Sequence, residues 1–182
     1  MNADLVLWYA ARIAALTAFA VLALSLLSGM AIRTAFLGAF ARNRSLLALH
    51  SFTAWLWIPL IAVHLTALLL DSAAKIGVLD LLVPFQSTIP GGSLAVGLGT
   101  ISFLLLVFIG VTSALRGRMS QALWLWLHRL TYVMFAMIFA HAQLAGSDFS
   151  RSAISTTAWA VMGMLAVLAF LRAIGGRVEV AH

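Results

Sequence analysis

The charges of this chain sit in widely separated clusters, and long stretches without Asp, Glu, Lys or Arg run between them. Twenty such residues lie between Arg12 and Arg33, twenty-six between Arg44 and Asp71, and thirty-five between Asp80 and Arg116. Eighteen more lie between Arg129 and Asp148, and twenty between Arg151 and Arg172. A helix crosses the hydrocarbon core of a bilayer in about twenty apolar residues. The thirty-five-residue stretch contains VPFQSTIPGG, which its prolines and glycines mark as a loop, so its helix starts near Leu94. The eighteen-residue stretch is short for a span, and its helix starts earlier, near Ser120. Five transmembrane helices are therefore predicted, over roughly 10–32, 45–70, 94–115, 120–145 and 153–174. The fold class is all-α, an integral membrane bundle in a single domain over residues 1–182.

Composition agrees. Hydrophobic residues make up 64% of the 182 and charged residues 9%, which excludes a soluble globular domain, a disordered chain and a nucleic-acid-binding module. Membrane lipid, and not nucleic acid, is the expected partner of this surface. With no cysteine, the chain has no disulfide, thiolate metal site, iron–sulfur cluster or covalently attached haem. The first apolar stretch is longer than the core of a signal peptide, and Arg12 is the only positively charged side chain before it, so it reads as a retained span. Residues 72–83, short and mixed in polarity, read as an amphipathic helix along the membrane surface.

Basic residues collect in cytoplasmic loops. With five spans, one side holds Arg33, Arg42, Arg44, Arg116, Arg118, Arg129, Arg172 and Arg177, and the other only Arg12, Lys75 and Arg151. The N-terminus is thereby predicted outside and the C-terminus in the cytoplasm.

Against this background four histidines stand out. His50 and His64 lie on the second predicted span, fourteen residues apart, and His128 and His141 on the fourth, thirteen apart. His182 is the last residue and reads as tail. An ionisable group within a span is costly and is a functional-site hypothesis by default. A lone histidine often serves only as an interhelical hydrogen-bonding group; two pairs with nearly equal spacing are harder to explain so. At about 1.5 Å rise, fourteen residues cover roughly 21 Å and thirteen roughly 19.5 Å. The second and fourth spans run in the same direction, so His50 is level with His128 towards the cytoplasm and His64 with His141 towards the outside. Each level offers two imidazoles from two helices, which suits a haem iron with one histidine on each face. Zinc or copper wants three or four clustered ligands, and a proton relay wants intramembrane carboxylates. One feature needs a structural answer. Fourteen residues return to within about 40° of the same helix face, whereas thirteen leave His141 about 140° from His128. A bend, bulge or different approach angle is expected on the fourth span.

With these residues the chain resembles the ferric reductase-like transmembrane domain family. That family includes the membrane parts of ferric reductases and NADPH oxidases and the haem-binding subunit of the bacterial methionine sulfoxide reductase system. The resemblance is carried by LHSFTAWLWIPLIAVHL and WLHRLTYVMFAMIFAHAQL, with WYAAR, LLVPF and AGSD in support. It implies two haem b groups with His50–His128 and His64–His141 as axial ligand pairs, carrying electrons across the membrane. No dinucleotide fingerprint follows the fifth span, so the chain is similar to the stand-alone members. Their electron donor and acceptor are separate redox proteins or quinol. The chain then reads as the electron-transfer membrane component of an oxidoreductase, in a bacterial inner membrane. The sequence leaves a bound flavin or quinone open. The alternatives are a non-enzymatic anchor subunit of a redox complex with one haem or none, and a small transporter.

Haem propionates call for arginine. Arg12, at the outer start of the first span, and Arg129, next to His128, are the candidate cofactor-binding arginines; both also suit interfacial anchoring. Arg42, Arg44, Arg116 and Arg118 read as anchors. Phe52, Trp55, Trp57, Tyr132, Phe135 and Phe139 lie between the histidine levels, where span packing is the simpler role for most of them.

Overall fold

The structure, a computed structural model, describes residues 3–32, 43–89 and 92–175. Arg33, Arg42, Arg177 and His182 lie outside the described residues. Among the described residues the α-helices are α1 (Ala3–Ala31), α2 (Asn43–Leu70), α3 (Val78–Leu82), α4 (Ser93–Ala114), α5 (Gln121–His128), α6 (Leu130–Ala145) and α7 (Ser152–Gly175). Short 3-10 turns cover Arg116–Arg118 and Ser147–Ser150. There is no strand among the described residues. Among the described residues, five segments are long and apolar enough to cross a membrane: Ala3–Ala31, Arg44–Leu70, Ser93–Ala114, Gln121–Ala145 and Ser152–Ile174. The expected all-α protein with five spans is what the chain forms.

Three details differ from, or fill in, the sequence reading. α1 begins at Ala3, seven residues before the expected start, because Leu5, Val6 and Leu7 continue its apolar run and Asp4 complements the helix dipole in the first turn. Arg12 is consequently inside the helix and not at its start. The fourth span is divided at Arg129 into α5 and α6. There the N–H of Tyr132 bonds the carbonyl of Arg129 at 3.1 Å, an i to i+3 bond that tightens the turn. The expected irregularity thus falls directly after His128. Within residues 72–83 only the five residues of α3 are α-helical, capped where Asp80 Oδ2 accepts from the N–H of Gly77 at 2.8 Å.

The chain divides into two compact units, one of residues 1–8 and 67–155, the other of residues 9–66 and 156–182. In the first, α4 packs along α6, and α3 and α5 also lie against α4. The hydroxyl of Thr100 on α4 donates to the carbonyls of Asp80 and Val96. Phe85, in the left-handed region at φ 65°, lays its ring against Gly97, where any side chain would collide with it. In the second unit α1 turns a stripe of mostly small residues inward: Ala11, Ala14, Ala18, Leu22 and Ser25 recur every three or four positions and are all buried. From α7, Arg172 Nη1 donates to the carbonyls of Gly29 and Met30 at 3.0 and 2.6 Å, satisfying acceptors that the end of α1 would otherwise leave open.

Candidate functional site

Three of the four histidines make the same contact. His50 Nδ1 donates to the carbonyl of Ser25 at 2.8 Å, and His64 Nδ1 to the carbonyl of Ala11 at 2.9 Å, both on α1. His141 Nδ1 donates to the carbonyl of Ala95 on α4 at 2.7 Å. A carbonyl oxygen can only accept, so each Nδ1 carries the proton. In a neutral imidazole the other nitrogen, Nε2, then holds the lone pair, which is the tautomer a metal needs. This is also the usual way a metal-ligating histidine is oriented, with its second nitrogen donating to a carbonyl or carboxylate.

On α1 the two acceptors repeat the spacing of the histidines. Ala11 and Ser25 are fourteen residues apart, as are His50 and His64, and the antiparallel order pairs Ala11 with His64 and Ser25 with His50. The Ser25 hydroxyl adds a second contact to His50 Nδ1 at 3.2 Å.

His128 is held differently. It is the last residue of α5, and its ring stacks on Trp124, one turn earlier, with centroids 5.2 Å apart and planes 24° from parallel. All four histidines are half-buried.

Trp57 is midway between His50 and His64, seven residues from each. It is buried, and its indole N–H has no hydrogen-bond partner. Phe135 and Phe139 are buried on α6, whereas Phe52, Trp55 and Tyr132 are exposed, as lipid-facing side chains would be. Arg12 follows Ala11, the acceptor for His64, and is half-buried; Arg129 is exposed. Arg172 is the feature that sequence reasoning missed. In the sequence it reads only as a topology charge, and its bonds to α1 depend on a contact across more than a hundred residues that no local pattern announces.

Among the described residues, no three His, Cys, Asp or Glu side chains cluster as a metal cage would require. The donor set does fit haem, whose iron takes four ligands from the porphyrin and needs only axial imidazoles from the protein. The fixed Nε2 tautomers meet that need.

A chain whose described residues form five helices long and apolar enough to span a bilayer, three of its histidines braced on backbone carbonyls, is an integral membrane protein. It belongs to the family described as the ferric reductase like transmembrane component, whose family model matches residues 14–139. The match takes in His50, His64 and His128 and ends two residues before His141. Domains of this family generally bind haem, and membership points to transmembrane electron transfer. No curated protein and no solved structure matches the chain.

Proposed function

We propose that this protein passes electrons across a bacterial inner membrane through two b-type haems, ligated by His50 with His128 and by His64 with His141. The observation that carries the reading is the shared Nδ1–carbonyl bond of His50, His64 and His141, which presents Nε2 as a ligand in each. The fourteen- and thirteen-residue spacings support two levels, and the family supports haem as the group held.

When bound, each haem would supply a one-electron couple, and a pair of histidine ligands would leave its iron no open site, which suits electron transfer over bond chemistry. The chain's own residues do the rest. The carbonyls of Ser25, Ala11 and Ala95 fix the tautomer and orientation of the imidazoles and raise their basicity as ligands. Trp57, buried on α2 between His50 and His64, and Phe135, buried on α6 between His128 and His141, each supply apolar, low-dielectric surroundings on their own span. Arg12, beside the His64 acceptor, would hold an outer propionate, and Arg129, beside His128, an inner one. Arginine counts support an outer N-terminus and a cytoplasmic C-terminus. On that orientation a cytoplasmic flavoprotein or a membrane quinol gives up an electron. Ferric iron, or an oxidoreductase at the outer face, gains it.

Haem quantification on the purified full-length protein tests the reading. Two haems per chain, both with the absorption of six-coordinate b-type haem, are expected. One haem or none would favour an anchor subunit and overturn the two-haem path.

A further inference from the structure

The residues four positions after the acceptor carbonyls are all small. After Ser25 comes Gly29, after Ala95 comes Gly99, and after Ala11 comes Ala15. The spacing has a geometric meaning. Each Cα–Cβ bond of an α-helix tilts towards the N-terminus, so a side chain covers the turn before its own Cα. The side chain at position i+4 therefore leans over the carbonyl of residue i, and a glycine there uncovers it.

Both glycines have the imidazole in that space. A Cβ built on Gly29 would be 3.1 Å from His50 Cε1 and Nδ1, and one built on Gly99 would be 2.8 Å from the same atoms of His141. Neither ring has an easy retreat, because each is tied by its Nδ1 bond. At the first site the helix is tied as well, since Arg172 bonds the carbonyl of Gly29 itself. Not every span glycine has a histidine there: Gly97 faces Phe85, and nothing lies within 4 Å of a Cβ on Gly110, further along α4, or on Gly163 of α7.

We propose that Gly29 and Gly99 are positioning residues, notches that let His50 and His141 reach the carbonyls of Ser25 and Ala95 and so set the strength of each as a haem ligand. This inference rests on the two-haem reading. An added methyl lengthens or misaligns the Nδ1 bond. The imidazole then donates less charge to iron, ferric haem loses stabilisation, and the potential of that haem rises. Because His50 and His141 belong to different ligand pairs, Gly29→Ala acts on the inner haem and Gly99→Ala on the outer one. The closer approach makes Gly99→Ala the more severe.

The test is a spectroelectrochemical titration of full-length Gly29→Ala, Gly99→Ala and, as control, Gly110→Ala, with the ferric low-spin electron paramagnetic resonance signals recorded alongside. The expected result is an upward potential shift, or selective loss, of one haem in each of the first two variants, a different haem in each. Gly110→Ala should match the parent protein. Potentials and signals unchanged in both variants, or displaced equally for both haems in either, would overturn the proposal. If neither variant accumulates as folded protein, Ala15→Gly decides. Uncovering the Ala11 carbonyl should strengthen the His64 bond and lower the outer potential, and no change there would overturn the notch rule. A parent protein without two haems refutes the underlying reading instead.

Discussion

The two histidine-bearing spans solve the same problem in opposite ways. α2 is a continuous helix, although Pro59 lies inside it, and its two histidines hang from two carbonyls of a single neighbour, α1. The fourth span is divided between its histidines. His141 hangs from a carbonyl of α4, while His128 ends α5 and leans on a tryptophan of its own helix. The spacing explains the contrast. Fourteen residues nearly close four turns, so an unbroken helix directs both imidazoles to one side. Thirteen do not, and the chain places a tightened turn at Arg129, where the register can be adjusted.

The largest effects should come from the ligands. His64→Ala and His141→Ala should each remove the outer haem and halve the haem content while leaving inner-haem absorption; His50→Ala and His128→Ala should do the reverse. A pairing in which His64→Ala and His128→Ala remove the same haem would break the comparison at its root. Next comes Arg172→Leu, which strips two charge-assisted bonds from the end of α1. A loss of about 2 kcal/mol is expected, read by thermal or denaturant unfolding, with the His50 haem disturbed more than the His64 haem.

Trp124→Ala removes the ring stacked on His128 and should cost about 1 kcal/mol while altering the inner-haem signal. An equal change at the outer haem would contradict the distinction between the spans. Ser25→Ala is the mildest. It removes only the longer hydroxyl contact and keeps the carbonyl that bonds His50, so stability should stay within about 0.5 kcal/mol.

Much of this was legible in the sequence, for physical reasons. Charge is excluded from bilayer core, so the gaps between Arg12 and Arg33 or Arg151 and Arg172 mark spans directly. Four histidines within spans stand out for the same reason, and the mismatch of thirteen with helical repeat announces an irregularity. What was hidden is backbone. That Ser25, Ala11 and Ala95 accept hydrogen bonds depends on their carbonyls, which every residue carries, so residue type holds no signal. Gly29 and Gly99 look like any small packing residue until the ring beside them is seen. The seven extra residues of α1 are hidden because Arg12 interrupts the charge-free run, although its long side chain can snorkel from within a helix.

The most direct measurement is electron paramagnetic resonance of the oxidised, full-length protein. If four histidines clamp two irons, the spectrum will show two low-spin ferric haem signals and no high-spin haem, with one of the two absent in His64→Ala and the other in His50→Ala. A dominant high-spin signal in the parent protein, or both low-spin signals persisting in both variants, would contradict the account.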